Sequence, residues 1–379
     1  GGRSLAETIK CLNPKLLEVR NANTNLRPDL SPAPPSDLDD LQALSRRLGA
    51  DLTLVQGSGG NTSIKDGDVL WVKASGTWLI NAEEQEILVP VDLPRVEATL
   101  KAGGSDFNDA TLAGKLRPSI ETSLHCQLPH HVVIHVHSVN AIAWNVQQSA
   151  INRLKERLSG IDWRYIPYAK PGASLTAQVT RVLSDEPGEP VLLVLENHGL
   201  VLGGDTCDSV EALLADVETR LHLPARQTPE PATSKVASGL AGTDDWRLPQ
   251  TPDIHGIAFD HYAIEVATGG ALIPDHAVFL EKKVPVCASP YDIATTISQY
   301  RSKYGDEPDW MIVRDAGVVL SRRIGAAGEA QLRGLAMISL RIPPGSTIGY
   351  IDEKAAAELQ AWDAEIYRKK LDEDRPRQS

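Results

Sequence analysis

Apolar and polar residues alternate along the chain with two different periods, which predict its first elements. Leucines at positions 38, 41, 44 and 48 follow helical spacing, which predicts a helix over residues 37–48 capped by Asp37. Period-two alternation predicts strands over residues 51–56, 62–65 and 69–73. The dipeptide Asp66-Gly67 between the last two predicts a hairpin turn.

Helical and strand patterns also mix through the middle of the chain. Apolar runs predict strands over residues 132–136, 191–195 and 200–202. Helical periodicity predicts helices over residues 120–128, 140–157, 174–183 and 209–223. This mixture predicts a layered α/β domain.

Stretches rich in proline and small residues divide the chain into four parts. These are an irregular lead-in over residues 1–36, the α/β domain over 37–225, a linker over 226–252 and a smaller C-terminal α+β domain over 253–379. The last part contains a predicted amphipathic helix over residues 355–371.

The C-terminal part contains a segment whose sequence resembles a segment of the α/β domain. Residues 311–320 line up with residues 193–202, and both segments precede a helical pattern. Ala316 stands where His198 stands, so the second copy has lost the histidine. A degenerate half-repeat and two unrelated buried hairpins both explain this pattern.

The amino-acid composition argues against some classes of binding partner. The 379 residues include 38 Lys and Arg against 50 Asp and Glu, a formal net charge of -12. That balance argues against a nucleic-acid or anionic-membrane partner. The chain shows neither a signal-peptide pattern nor an apolar run of transmembrane length. The four cysteines are far apart, which favours a reducing compartment, so we expect a cytoplasmic protein.

Three histidines supply the main candidate chemistry. His135 and His137 lie two positions apart in a predicted strand and would therefore point to the same face. His198 lies in an Asn-His-Gly turn between two predicted strands, where it can be directed into a cleft. Three neutral imidazoles suit Zn²⁺ with an open position for substrate, although ligand type alone leaves Mn, Co or Fe open.

Glu121 is the candidate acid/base beside that metal site. It begins a predicted helix, and His125 follows one turn later on the same face. Glu121 would transfer protons or fill the open metal position at rest; a solvated helix-start glutamate is the structural alternative. His125 would line the site as a hydrogen-bonding partner or act as a fourth ligand, and Cys126 is expected to be a buried thiol.

Small polar segments predict an anion pocket near Glu121. The turn over residues 57–63 exposes backbone N–H groups and hydroxyls, although it lacks a P-loop lysine. A second such segment over residues 73–77 lies across the predicted hairpin, and Ser119 precedes Glu121. A phosphate or carboxylate pocket is therefore expected, with an ordinary glycine turn as the alternative.

The order of these segments resembles the class II aldolase/adducin family, which includes fuculose-phosphate and rhamnulose-phosphate aldolases and ribulose-phosphate 4-epimerases. The resemblance covers about residues 37–223. It is carried by Gly59-Gly60-Asn61-Thr62-Ser63, Lys73-Ala74-Ser75-Gly76-Thr77, residues 118–125, His135-x-His137 and Asn197-His198-Gly199.

The resemblance implies a three-layer α/β/α domain with a mixed central sheet. It implies Zn²⁺ held by His135, His137 and His198, with Glu121 as the acid/base. Contacts to a substrate phosphate would come from Asn61, Ser75, Gly76 and Ser119. The implied activity is retro-aldol cleavage of a phosphorylated ketose through a metal-stabilised enediolate. The implied partner is a small sugar or sugar phosphate, and family members form homo-oligomers, typically tetramers.

The chain also departs from the family pattern. Ile120 stands where a second hydroxyl often precedes the glutamate, which removes one phosphate donor. The fuculose-phosphate enzymes take a tyrosine from a neighbouring subunit to protonate the leaving aldehyde, and Tyr168 is the nearest counterpart. Sugar-acid phosphate decarboxylation, sugar-phosphate epimerisation and a non-enzymatic adducin-like role remain alternatives. Residues 273–276 and Trp362 are similar to the aldolase part of bifunctional rhamnulose-phosphate aldolase/dehydrogenases.

Overall fold

The computed structural model describes residues 31–280 and 283–373. Within them the helices are α1 (Leu38–Ala50), α2 (Leu93–Lys101), α3 (Thr122–Gln127), α4 (Val139–Asn145), α5 (Ala150–Arg157), α6 (Ala173–Asp185), α7 (Cys207–Leu221), α8 (Thr233–Gly239), α9 (His261–Gly269), α10 (Pro274–Phe279), α11 (Ile293–Tyr304), α12 (Ala326–Ser339), α13 (Glu353–Gln360) and α14 (Asp363–Glu373). The strands are β1 (Asn61–Asp66), β2 (Val69–Lys73), β3 (Leu88–Asp92), β4 (Val132–Val136), β5 (Trp163–Ile166), β6 (Leu192–Leu195), β7 (Gly199–Gly204), β8 (Trp246–Arg247), β9 (Val286–Cys287), β10 (Trp310–Val313) and β11 (Gly317–Ser321). Short 3-10 turns lie at Leu79–Asn81, Asn108–Ala110, Pro252–Phe259 and Pro290–Asp292.

The larger sheet places the ends of β4 and β7 next to each other. In the described residues it has seven strands, in the order β3-β2-β1-β4-β7-β6-β5. All its neighbouring strands are antiparallel except the parallel pair β5 and β6. The predicted hairpin forms, with Lys65 opposite Leu70. In β4, His135 lies between Asn61 of β1 and Val201 of β7.

Helices cover both faces of this sheet because successive side chains of a strand point to opposite sides. Ile134 and Val136 pack with apolar residues of α1, α4, α5 and α7. Val133 and Val201 pack on the other face with apolar residues of α3 and α6. Fully burying one such side chain stabilises the fold by about 1.5–3 kcal/mol. The chain therefore contains the predicted three-layer α/β/α fold with a mixed central sheet.

A smaller sheet lies in the C-terminal part, which is α+β as predicted. It has four strands in the described residues, in the order β8-β11-β10-β9. Residues 226–252, predicted to be a linker, contain helix α8 and strand β8, and β8 pairs with β11. One apolar cluster includes Leu41 and Ile142 as well as Ile312 and Leu335, so packing is continuous across the chain. The division into domains stays a prediction.

The two segments proposed as a repeat have the same element order. The segment β5-α6-β6-β7-α7 corresponds to β9-α11-β10-β11-α12, and in each the first two strands are parallel and the hairpin is antiparallel. Asn197 and Asp315 occupy equivalent hairpin turns. They are the non-glycine residues with positive φ in the described chain, at 51° and 55°. This geometry agrees with a half-repeat, whose common origin stays a prediction.

Three predicted elements were wrong in detail. Residues 51–56 form turns rather than a strand because the Asp51 carboxylate accepts hydrogen bonds from the Thr53 backbone and hydroxyl. The single helix predicted over 140–157 is two helices, α4 and α5, with Gln147 bridging to Ile348 between them. The helix predicted over 355–371 is α13 followed by α14, which begins after Trp362.

The described residues contain no helix long and apolar enough to cross a membrane. Cys126, Cys207 and Cys287 are free thiols, and Cys11 lies outside the described residues. Cys126 packs against the apolar cluster of β2 and β3, and burial raises the pKa of its thiol to about 12. It is a thiol at neutral pH and lies outside the histidine cluster described below.

Candidate metal centre and active site

His135, His137 and His198 meet at one end of the large sheet. His135 is in β4 and His137 follows its last residue, so both face away from the side to which Val136 points. His198 follows Asn197, which has a left-handed conformation that asparagine tolerates. Gly199 is required next because a Cβ there would lie 2.3 Å from the Val136 carbonyl oxygen.

The three imidazoles are buried and converge. Their ring centroids are 4.8–5.2 Å apart, and none of the three residues is more than 4% exposed. One ligand nitrogen from each lies within 4.8 Å of the other two. Burial lowers the pKa of His135, and it lowers the pKa of His198 to about 3. His135 and His198 are therefore neutral at pH 7, the form that binds a metal ion.

Hydrogen bonds fix which nitrogen faces the cluster. The Nδ1–H group of His135 donates to the Leu200 carbonyl oxygen at 2.8 Å, which leaves the Nε2 lone pair on the cluster side. The Nε2 atom of His137 lies 3.1 Å from the Nε2 atom of His135. Nδ1 of His198 and Oε1 of Glu121 are buried without a hydrogen-bond partner among the described residues. This donor set fits a divalent cation of the zinc type.

Glu121 completes the cluster. It directly precedes α3 and is 4% exposed, with Oε2 3.4 Å from His135 Nε2 and Oε1 3.5 Å from His198 Nε2. Burial would raise its pKa, but His135, His198 and a 2.7 Å hydrogen bond from the Asn61 amide lower that pKa to about 2. Glu121 is thus a buried, ionised carboxylate beside the histidines. The alternative that it is a solvated glutamate at the start of a helix is wrong.

A buried hydrogen-bond chain orients Glu121. Because the Asn61 Nδ2 group donates to Glu121, its Oδ1 atom accepts from His125 Nε2–H. Nδ1 of His125 must then accept from the Ser63 hydroxyl, at 2.6 Å. His125 therefore acts as a neutral hydrogen-bonding partner behind the site, and its nitrogens are occupied by Asn61 and Ser63 rather than by the histidine cluster.

This arrangement predicts a pH-dependent contribution of His125 to stability. Burial lowers its pKa to about 3, whereas an exposed histidine titrates near 6.5. Between these values the unfolded state binds the extra proton, so the free energy of unfolding falls as pH falls. We expect this group to contribute up to about 1.4 kcal/mol per pH unit.

Urea denaturation of the metal-free protein between pH 5 and 7 measures that contribution. His125→Gln removes only this titration, since the other buried groups titrate in both proteins, so its stability should fall less steeply with acid. Equal slopes for the two proteins would contradict the assignment.

The predicted anion-binding residues line one cleft above Glu121. Asn61, Ser75, Gly76 and Ser119 all border it, together with Ser58 and Lys73. The cleft is partly open to solvent and lies directly beside the histidine cluster, since His137 and His198 also border it. The Ser119 hydroxyl accepts a 3.3 Å hydrogen bond from Asn61, so the cleft and the carboxylate share one polar network.

Three charged residues in this cleft were missed from the sequence. Asp275 of α10 and Glu365 and Arg368 of α14 border it, and each is at most 8% exposed. The Arg368 Nη2 group donates to Asp275 at 2.9 Å and to the Ser58 hydroxyl at 3.2 Å. Leu371, also on α14, packs so closely on Gly76 that a Cβ there would meet it at 2.6 Å. Residues of the C-terminal part therefore border this cleft and pack against its glycine turn.

Tyr168, the nearest sequence candidate for a second proton donor, does not border the cleft. Its backbone N–H donates to Glu196, and its buried hydroxyl has no partner among the described residues. Burial raises the pKa of that hydroxyl to about 12.

Comparison with known proteins identifies the part of the chain that carries the cluster. A family model for the class II aldolase and adducin N-terminal domain matches residues 39–223. An uncharacterized oxidoreductase, YuxG, of Bacillus subtilis is 27% identical over 194 residues, which cover 46% of this chain and 27% of that protein. An L-fuculose phosphate aldolase of Methanococcus maripaludis is 24% identical over 172 residues, which cover 43% of this chain and 83% of that protein. The N-terminal class II aldolase domain of a Thermoplasma acidophilum protein is 24% identical, with a TM-score of 0.43, over 52% of this chain and 97% of that one.

Proposed function

Residues 39–223 belong to the class II aldolase and adducin family, and from this premise we propose that the chain is a metal-dependent carbon–carbon lyase of the aldol type. The observation that carries the proposal is the buried Glu121 carboxylate, within 3.5 Å of two histidines of the cluster. An adducin-like interaction module has no need of such a charged, desolvated centre, whose burial is costly.

A metal ion would be held by His135, His137 and His198, whose imidazole nitrogens bind as neutral ligands. Zinc suits this donor set, and Mn, Co or Fe would also be accommodated. When bound, the ion supplies a Lewis acid that stabilises negative charge on a substrate carbonyl oxygen. Neutral ligands suit this role because they leave the charge of the ion undiminished.

Glu121 transfers the proton. Its Oε2 atom accepts from Asn61, so Oε1 is the oxygen that carries the proton to and from the substrate. The carboxylate is ionised at rest, so it first accepts the proton of the substrate hydroxyl whose carbon becomes the aldehyde, and then delivers a proton to the carbon left by cleavage of the carbon–carbon bond. Asn61 and His125 hold the carboxylate in one orientation throughout.

The polar cleft binds the anionic end of a phosphorylated ketose. Its contacts come from Asn61, Ser75, Gly76 and Ser119, which border the cleft beside Glu121. Lys73 adds a positive charge on the same side, with its Nζ group 3.0 Å from the Ser58 carbonyl oxygen. Hydroxyl and backbone N–H donors around a cation suit a phosphate or carboxylate group.

A substrate panel tests this function. Metal-loaded protein is incubated with ketose 1-phosphates, unphosphorylated ketoses and sugar-acid phosphates, and the products are followed by NMR. We expect dihydroxyacetone phosphate and an aldehyde from at least one ketose phosphate. Release of CO₂ instead would establish decarboxylation, an isomeric sugar without fragments would establish epimerisation, and either would overturn the lyase proposal.

A further inference from the structure

Asp275 connects the C-terminal part of the chain to the histidine cluster. Its Oδ2 atom lies 3.3 Å from Nδ1 of His137, the nitrogen that points away from His135. Both side chains are at most 4% exposed. Asp275 belongs to α10, far outside the residues that match the family model.

Two other helices hold the Asp275 carboxylate in place. Arg368 of α14 donates to Oδ1 at 2.9 Å, and Gln331 of α12 donates to Oδ2 at 3.1 Å. Gln331 is itself fully buried and also donates to the Gln56 carbonyl oxygen. The carboxylate thus has fixed partners on both oxygens and little freedom to rotate.

The contact between Asp275 and His137 is closed to other groups. A Cβ added to Gly59 would lie 2.8 Å from His137 Nδ1 and 2.9 Å from Asp275 Oδ2. The glycine backbone therefore fills the space beside the pair. Burial would raise the pKa of Asp275, but Arg368 and His137 lower it well below its usual range, so the group is a carboxylate.

We infer that Asp275 is a positioning residue of the metal centre, held by Arg368 and Gln331. Its Oδ2 atom lies 3.3 Å from His137 Nδ1, close enough to hold a proton on that nitrogen and so to favour the tautomer whose Nε2 lone pair faces the other histidines. The inference rests on the proposed function, because it takes His137 to be a metal ligand. It also gives the C-terminal part a role, since α10, α12 and α14 all support one ligand.

The charged residues around the histidine cluster support the assignment of Asp275 as a positioning residue. Three neutral imidazoles leave a divalent cation uncompensated, and Glu121 and Asp275 together supply two nearby negative charges. Arg368 lies beyond Asp275 and also pairs with Glu365 at 2.8 Å. A hydrogen-bonded carboxylate also increases the basicity of a ligand histidine.

The zinc affinity of the protein tests the positioning role of Asp275 directly. The zinc dissociation constant of full-length protein is determined by competition with a chromophoric chelator for wild type and Asp275→Asn. We expect Asp275→Asn to bind zinc about 10–100-fold more weakly, as found when carboxylates behind ligand histidines are removed. Asparagine keeps the shape but can turn its amide NH₂ toward His137, which favours the wrong tautomer.

Two further variants separate positioning from folding. Arg368→Lys keeps the charge near Asp275 but loses the planar fork, so it should weaken zinc binding less than Asp275→Asn does. Asp260→Asn breaks an ion pair with Arg226 in the same part of the chain, outside the cleft, and should leave zinc affinity unchanged. Visible absorption bands of the cobalt-substituted protein should shift in Asp275→Asn and not in Asp260→Asn.

The outcomes distinguish this inference from the proposed function. If wild type fails to bind a stoichiometric metal ion, the proposed function is overturned and the inference with it. If wild type binds zinc and Asp275→Asn binds it equally well with the same cobalt spectrum, only the inference is overturned. If Asp260→Asn weakens binding as much as Asp275→Asn does, the effect is one of folding and the positioning role is likewise rejected.

Discussion

Glu121→Gln should lower kcat for aldol cleavage by about 10²–10⁴-fold, the usual contribution of a positioned acid or base. Glutamine has nearly the same shape and retains an oxygen that can accept from Asn61, but it cannot take up and return a proton. The histidines keep their geometry, so the metal content should remain close to that of wild type. The comparison uses steady-state kinetics on the substrate identified by the panel, with metal analysis of the same samples.

A matched control for this substitution exists in the chain. Glu218 is a partly buried carboxylate that also accepts hydrogen bonds, from Ser138 and Asn140, but it lies outside the cleft. Glu218→Gln should leave kcat almost unchanged. Full activity in metal-loaded Glu121→Gln would remove Glu121 from the mechanism, and equal losses in both variants would indicate a general effect on folding.

His198→Ala should abolish stoichiometric metal binding and, with it, activity. The remaining pair, His135 and His137, offers two nitrogens, too few for a stable zinc site. We expect the zinc dissociation constant to rise by more than the about 10–100-fold seen when only the outer partners of ligands are changed. Chelator competition measures it, and metal-stripped wild type should recover activity when zinc is restored.

The exposed residue His222, at the end of α7, provides the control for this second experiment. His222→Ala should bind zinc as wild type does. If His198→Ala retained one tightly bound zinc ion, the cluster of three histidines would not be the metal centre.

Local sequence patterns predicted the parts of the site that depend on local geometry. The His135 and His137 side chains share a face because alternation in a strand is a property of consecutive residues. Glu121 and His125 lie one helical turn apart for a similar reason, and the structure brings both to Asn61. His198 was found from its Asn-His-Gly turn, whose left-handed Asn197 and close-packed Gly199 impose those residue types.

The contribution of the C-terminal part could not be predicted in this way. Glu365, Arg368 and Asp372 follow helical spacing and resemble the solvated face of a surface helix, yet all three are buried. Arg368 and Asp372 bond to partners far away in sequence, Asp275 and the backbone of Ala327, and Glu365 pairs with Arg368. Only the tertiary fold determines such pairs.

The periodicity of apolar residues also failed to predict where one helix ends and the next begins. The apolar spacing over residues 140–157 continues through the gap between α4 and α5. The break occurs because Gln147 and Gln148 bond to residues near position 348, in the C-terminal part. A contact between distant segments thus overrides local helical preference.

Hydrogen exchange at carbon tests the central claim most directly, because it needs only the metal, Glu121 and half of the substrate. Metal-loaded protein is placed in D₂O with dihydroxyacetone phosphate, and loss of a hydroxymethyl proton signal is followed by NMR. We expect stereospecific exchange of one hydrogen with wild type, and no exchange with Glu121→Gln or metal-stripped protein. No exchange with metal-loaded wild type, or equal exchange with Glu121→Gln, would contradict the account.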